Sequence, residues 1–137
     1  MNILFKLWCR TFQTGFRIAA PFLPYREPEI LSSVREIPEK IKELSLSSAL
    51  VVTDSFLYKS GALANLEKAL SESGVKYHIY SDTEPNPSVE NVENALSIYN
   101  KEKLQCIIAF GGGSSMDCAK VVGARVAYPK RSFASLR

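Results

Sequence analysis

Short apolar runs and amphipathic stretches alternate along most of this chain. The apolar runs, at 49–53, 75–80 and 104–110, have the length and composition of strands, and stretches with helical periodicity separate them. Strands that alternate with helices pair in parallel through right-handed crossovers. The pattern therefore predicts an open, mostly parallel, Rossmann-like α/β sheet flanked by helices. The predicted helices cover 33–44, 61–73, the stretch that follows Ser88 and the stretch after the glycines at 111–113, and a short strand is predicted at Ile30-Leu31.

Each predicted helix has one apolar face, which we expect to pack on the sheet. Gly74 stands where a helix favours glycine after its last turn, and Ser88 can cap the next helix. The run 104–110 is predicted to be buried on both faces. The apolar faces consist of Val34, Ile37, Ile41 and Leu44; Leu63, Leu66, Ala69 and Leu70; Val89, Val92, Ala95, Leu96 and Tyr99; and Met116, Ala119, Val122 and Val126.

Residues 3–20 predict an N-terminal amphipathic helix. We expect it to pack on the domain; the alternatives are a helix on a membrane surface and a transit peptide, because the segment is basic and has no acids. Prolines at 21, 24 and 28 predict an extended connection, so the predicted division is a helix at 1–23 and an α/β domain at 24–137. The apolar stripe contains Ile3, Leu4, Leu7, Trp8, Phe12 and Phe16, and the other faces carry Lys6, Arg10, Gln13 and Arg17.

A glycine turn joins the last predicted strand to the last helix. Gly111, Gly112 and Gly113 are followed by Ser114 and Ser115. Such a turn aims free backbone N–H groups and the positive end of a helix at one point, where a phosphate can bind. We expect these residues to hold a pyrophosphate through their N–H groups and a hydroxyl. The alternative is structural, because Ser114-x-x-Asp117 is also the pattern of a capping box.

Other polar residues follow the first two strands. Asp54 can accept hydrogen bonds from ribose hydroxyls and would repel a 2′-phosphate, which favours NAD over NADP; the alternative is a helix N-cap. Asn86 lies between two prolines that fix its amide toward a ligand, or it forms a structural Asx turn. Asp117 is a further candidate, although it can instead pair with Lys120. In an open α/β sheet all of these residues lie near the carboxyl ends of the strands, where ligands bind.

Composition and charge set limits on partners and location. A net charge of +3 is too small to indicate nucleic acid, and the excess lies in residues 1–26, which contain four basic residues and no acid. The three cysteines have no CxxC spacing, which favours a reducing compartment, here the cytoplasm, and indicates neither a disulfide framework nor a zinc site. His78 is the only histidine, so no nucleophilic triad can form and we predict no catalytic residue.

The segment Gly-Gly-Gly-Ser-Ser-Met-Asp-Cys-Ala-Lys at 111–120 resembles the cofactor motif of the iron-containing (group III) alcohol dehydrogenases. Two further matches, Val51-Val52-Thr53-Asp54 and Glu84-Pro85-Asn86-Pro87-Ser88, stand upstream in the family's order, and the resemblance covers about residues 24 to 137. It implies NAD-dependent hydride transfer between an alcohol and an aldehyde or ketone. It also implies cofactor contacts from the glycine turn, from Asp54 and from the Pro-Asn-Pro turn.

The resemblance further implies a divalent metal, iron or zinc, held by an aspartate and three histidines in a later, mostly helical domain. One histidine cannot supply that site, and a threonine-rich cofactor segment is missing as well, so we predict no metal ligand. We therefore expect this chain to be the NAD-binding half of the enzyme. As a fragment it should catalyse no turnover by itself, self-associate through exposed apolar area and make no membrane contact. The alternatives are a glycerol or polyol dehydrogenase-like relative and a non-catalytic nucleotide-binding remnant.

Overall fold

A computed structural model describes residues 3–19 and 28–131, with side chains from Lys6 onward. The chain divides into two compact units, Met1–Ile30 and Leu31–Arg137. The first contains helix α1, Ile3–Ala19, at the predicted place. The predicted connection at Pro21 and Pro24, and the division between 23 and 24, lie outside the described residues and stay predictions.

The second unit is a three-stranded parallel sheet with helices on both faces. The strand order is β2-β1-β3. Ser33 caps a 3₁₀ turn, Val34–Glu36, which leads into α2, and all three predicted strands and the main helices are present. The elements are α2 Ile37–Glu43, β1 Ser48–Val52, α3 Ser55–Lys59, α4 Ala64–Glu72, β2 Lys76–Tyr80, α5 Val89–Lys101, β3 Cys106–Ala109 and α6 Gly113–Ala127.

The core forms on both sides of β1, whose five residues are all buried. Leu50 and Val52 belong to an apolar cluster with buried residues of α5 and α6. Ala49 and Val51 point to the opposite face and join a cluster with α2 and α4. Because successive side chains of a strand alternate between faces, one short strand anchors both layers of helices. The predicted open α/β architecture is confirmed.

Several sequence predictions about single segments are wrong. Cys106–Ala109 is only partly buried, because β3 is an edge strand of the described sheet and pairs only with β1. Ile30-Leu31 forms no strand; Ile30 is exposed and the segment leads at once into the turn capped by Ser33. Leu44 and Val89 are exposed because each stands at the end of its helix, past the packed face. The sequence reading also missed α3, a helix of five residues.

Two further observations concern the whole of the described chain. All three cysteines lie within the described residues and carry free thiols. Among the helices that the structure describes, none has the length and apolar character needed to cross a membrane.

Candidate nucleotide-binding site

The carboxyl ends of the three strands lie side by side. Val52, the last residue of β1, is in register with Tyr80 of β2 and Ala109 of β3. Backbone hydrogen bonds continue the pairing beyond the strands: the Phe110 N–H donates to the Val52 carbonyl at 2.9 Å and the Thr53 N–H donates to the Tyr80 carbonyl at 2.9 Å. The three segments that carry the predicted ligand-binding residues therefore start at one edge of the sheet.

The turn after β3 is crowded on one side and open on the other. Gly111 has φ +139°, a conformation that side chains rarely adopt, and a Cβ there would lie 2.8 Å from Ser115 Oγ and 3.0 Å from Leu57 Cδ1. A Cβ on Gly112 or Gly113 would meet nothing within 4 Å. Gly111 is thus required by the packing of the protein itself, whereas the space beside the next two glycines is available to a ligand.

The first turn of α6 offers backbone donors without acceptors. The Met116 N–H makes the first bond of the helix, to the Gly112 carbonyl at 3.1 Å. The N–H groups of Gly113, Ser114 and Ser115 precede it and have no acceptor in the described part of the chain. The N-cap residue is Gly112, which has no side chain to cap the helix. Ser114 lies inside the helix, so the alternative interpretation of Ser114-x-x-Asp117 as a capping box is wrong.

Ser115 contributes a backbone donor rather than an accessible hydroxyl. Its side chain is 1% exposed under Gly111, and its Oγ has no hydrogen-bond partner in the described chain. Thr53 and Thr83 also have buried hydroxyls without partners, and the Thr83 N–H donates to the Thr53 carbonyl at 3.3 Å. Sequence analysis named Thr53 only as part of the Val51-Val52-Thr53-Asp54 match and did not name Thr83. The available signal for Thr53 was a hydroxyl at the end of an apolar strand.

Asp54 begins α3 and so lies next to the glycine turn. Its Oδ1 accepts a hydrogen bond from the Leu57 N–H at 2.9 Å, and Leu57 is the residue whose side chain bounds Gly111. The predicted N-cap role of Asp54 is therefore present. Its second oxygen, Oδ2, makes no hydrogen bond within the described residues, and the side chain is only partly buried. One carboxylate thus caps a helix and keeps an acceptor for a ligand.

Asn86 lies in the turn after β2, with its side chain exposed and φ +55°. Asparagine tolerates this left-handed conformation better than most residues, which explains its place between two prolines. Its amide makes no hydrogen bond within the described chain, so the Asx turn of the alternative interpretation is not formed. The turn is held instead by Asn91, which sequence analysis missed: its buried Oδ1 accepts from the Glu84 N–H at 3.2 Å.

The remaining polar candidates follow the glycine turn within α6. Asp117 and Lys120 are both exposed and pair at 3.5 Å, as the alternative interpretation predicted. The part of the chain that the structure describes contains no group of three side chains able to hold a metal ion. Burial raises the pKa of the Cys106 and Cys118 thiols, which keeps them protonated and poorly nucleophilic at neutral pH.

Comparison with known proteins shows to which family this chain is similar. Residues 31–136 match the family of iron-containing alcohol dehydrogenases. The long-chain primary alcohol dehydrogenase AdhA of Thermoanaerobacter ethanolicus is 31% identical over 136 residues, which is 98% of this chain and 31% of AdhA.

Solved structures agree with the sequence comparison. The crystal structure of a 1,3-propanediol oxidoreductase superposes with a TM-score of 0.70 at 31% identity, over 75% of this chain and 27% of that one. The sulfoacetaldehyde reductase of Bifidobacterium kashiwanohense in complex with NAD+ gives a TM-score of 0.67 at 28% identity, over 76% of this chain and 27% of that one. This chain thus spans about a third or less of these relatives. It belongs to the iron-containing alcohol dehydrogenase family.

Proposed function

We propose that this chain forms the NAD-binding part of an iron-type alcohol dehydrogenase, which interconverts an alcohol and an aldehyde or ketone by hydride transfer. The observation that carries the proposal is the start of α6. Three backbone N–H groups without acceptors lie there beside open space at Gly112 and Gly113. A pyrophosphate supplies the negative charge and the acceptors that such a helix start lacks.

Each predicted residue receives a part in this proposal. The pyrophosphate would be held by the turn Gly111–Gly113, by the N–H groups of Ser114 and Ser115 and by the Ser114 hydroxyl. The Ser115 hydroxyl takes no part because it is buried. Asp54 Oδ2 would accept from the ribose hydroxyls, and the exposed Asn86 amide would contact the cofactor from the neighbouring turn. Asp117 would be an outer member, whose contact requires its ion pair with Lys120 to open.

The chemistry of the reaction comes from the cofactor and, in the intact enzyme, from a metal. NAD accepts or returns a hydride, and this chain's residues bind and orient it. The described residues do not fit a metal site, so the proposed iron or zinc belongs to the intact enzyme and we derive no step from it. AdhA is named for long-chain primary alcohols and a structural neighbour for 1,3-propanediol, which supports a small-molecule alcohol or its aldehyde as the substrate of the intact enzyme.

Location and assembly complete the proposal. The three free thiols support a reducing compartment, the cytoplasm. Self-association is proposed because Met116 is 44% exposed beside Ile107 and Ala109 of the edge strand β3, where an apolar groove remains uncovered in the described chain. No nucleic-acid partner is proposed.

Substitution of Gly113 tests the pyrophosphate site without disturbing the fold. In Gly113→Asp, the new carboxylate stands in the first turn of α6, where it favours the helix by roughly 0.3–1 kcal/mol but repels a phosphate. A side chain there meets nothing within 4 Å, so the free energy of unfolding should be kept or raised. We expect the affinity for NADH, measured by calorimetric titration, to fall at least about tenfold, which corresponds to roughly 1.4 kcal/mol.

Gly113→Asn is the matched control, because it adds nearly the same volume without the charge. It should weaken NADH binding much less than Gly113→Asp does. If the aspartate variant and the original chain bind NADH with equal affinity, the pyrophosphate does not bind at the start of α6. If the original chain binds neither NADH nor NADPH more tightly than millimolar, the non-catalytic remnant becomes the better interpretation.

A further inference from the structure

Helix α1 carries its charge and its large apolar side chains on opposite sides. At 3.6 residues per turn, Lys6, Arg10, Gln13 and Arg17 fall within an arc of about 60°. The opposite half of the helix carries large apolar side chains, each between 59% and 67% exposed: Leu7, Trp8, Phe12, Phe16 and Ile18. A helix with this division is suited to a boundary between an apolar phase and water.

The apolar half is wide and aromatic. The rings of Trp8 and Phe12 stack with their centroids 5.8 Å apart and an interplanar angle of 17°. Phe16 continues the same side one turn further on, and Gly15 adds no side chain, with open space around the position where a Cβ would stand. Tryptophan is enriched at the interface between lipid head groups and acyl chains, where an apolar ring with a polar N–H fits both phases.

The charged half identifies the partner as anionic. Residues 1–26 contain no acid, and Arg10 and Arg17 line a shallow groove with Gln13 and Thr14 between them. Guanidinium groups bind phosphate through paired hydrogen bonds, and their long stems allow the charges to reach head groups from the side of a helix. A second copy of α1 would present the same positive charges without an acid to pair with them.

We propose that α1 lies on the surface of an anionic lipid bilayer. Its aromatic half enters the boundary of the acyl chains, and Lys6, Arg10 and Arg17 bind the lipid phosphates. This proposal takes up the membrane-surface alternative in place of our sequence-based expectations that the helix packs on the domain and makes no membrane contact. It is independent of the nucleotide site, so the failure of either proposal leaves the other standing.

Trp8 provides a direct reporter because it is the only tryptophan of the chain and lies on the apolar half. The experiment adds vesicles of phosphatidylglycerol mixed with phosphatidylcholine to the 137-residue chain and records tryptophan emission. We expect a blue shift and quenching by brominated acyl chains, both weakened by high salt because the attraction is electrostatic. Pure phosphatidylcholine vesicles should produce a much smaller change.

Two triple variants distinguish the helix from the rest of the protein. Lys6→Gln, Arg10→Gln and Arg17→Gln together should weaken partition onto the anionic vesicles about a hundredfold, at about fivefold per charge. The matched control removes the same charge from exposed lysines elsewhere, by Lys42→Gln, Lys59→Gln and Lys101→Gln, and should bind as the original chain does.

Three outcomes would overturn the proposal. One is an emission spectrum that stays unchanged when anionic vesicles are added. Another is an equal loss of binding in the two triple variants, because the helix would then have no special role. The third is emission that is already blue-shifted without lipid, together with self-association that Phe12→Ser abolishes; that result would assign the apolar half to a second copy of the chain.

Discussion

Asp54 combines a structural and a recognition role in one carboxylate. Oδ1 accepts the Leu57 N–H and so holds the start of α3, whereas Oδ2 makes no bond in the described chain. In Asp54→Asn the amide oxygen can still cap the helix, because asparagine and aspartate are about equally good N-caps. We expect the free energy of unfolding to change by less than about 0.5 kcal/mol and the preference for NADH over NADPH to decrease, since the negative charge that repels a 2′-phosphate is gone.

Asp54→Ala separates the two roles from the other direction. It removes the cap as well as the charge. It should therefore lower the free energy of unfolding by about 1 kcal/mol and reduce the preference for NADH over NADPH as Asp54→Asn does. Chemical denaturation measures the first effect and paired NADH and NADPH titrations the second. An asparagine variant that keeps the full preference for NADH would mean that Asp54 acts only as a cap.

Single residues could be predicted from the sequence where their role is local. Ser88 caps α5 through the Asn91 N–H, and Gly74 has the positive φ expected after a helix, because both roles depend on a few neighbouring residues. The burial of Ser115 and the bond from Glu84 to Asn91 depend on how separate elements pack, which no local pattern reveals. The placement of the candidate site was therefore predictable, but not the side chains that support it.

Helices and strands, like single residues, could be predicted where a local sequence pattern decides them and not where packing between elements does. The apolar run of β3 resembles a strand buried on both faces, yet its burial depends on how many strands flank it, and the described sheet provides one. Helix α3 escaped prediction because five residues, Ser55–Lys59, are too few to display a helical period. It is nevertheless essential to the geometry, since it brings Leu57 against the glycine turn.

The junction of β3, α3 and α6 should respond differently to two neighbouring glycine substitutions. Gly111→Ala places a Cβ 2.8 Å from Ser115 Oγ, on a backbone with φ +139°, and should lower the free energy of unfolding by roughly 1–3 kcal/mol. Gly112→Ala adds the same methyl group with φ −85° and nothing within 4 Å, so it should lose only the N-cap preference of glycine over alanine, less than about 1 kcal/mol. Denaturation curves of the pair measure the difference; equal stabilities would show that the turn relaxes around Gly111.

At the scale of the whole molecule, the domain has two apolar clusters separated by a single central strand. Five buried residues of β1 link the layer of α5 and α6 to the layer of α2 and α4. Sequence periodicity predicted this architecture because both layers need apolar stripes and β1 needs an unbroken apolar run. Ionisable groups packed into such a small core therefore affect the stability of the domain as a unit.

Alkaline pH should reveal this coupling through Tyr80. Its hydroxyl is buried without a hydrogen-bond partner among the described residues. Burial, aided by the nearby Cys118 and Asp82 charges and opposed by the Asn91 side chain, raises its pKa from 10.0 to about 12. Burial also raises the pKa of Tyr99, Cys106 and Cys118. The unfolded chain loses these protons at a lower pH than the folded chain does. The full contribution of the groups to stability is therefore present below the pKa values of the unfolded chain. It is lost as pH rises, for Tyr80 between pH 10.0 and about 12.

Tyr80→Phe removes the largest of these shifts and retains the packing of the ring. Near neutral pH its stability should match or exceed that of the original chain, because the lost hydroxyl is buried without a partner in the described part of the chain. Above pH 10 the variant should lose less stability than the original, by at most about 3 kcal/mol. Urea denaturation across the alkaline range measures this, with Tyr58→Phe as the control for an exposed hydroxyl. If Tyr80→Phe and the original chain lose stability in parallel, the alkaline transition belongs to the thiols and to Tyr99 instead.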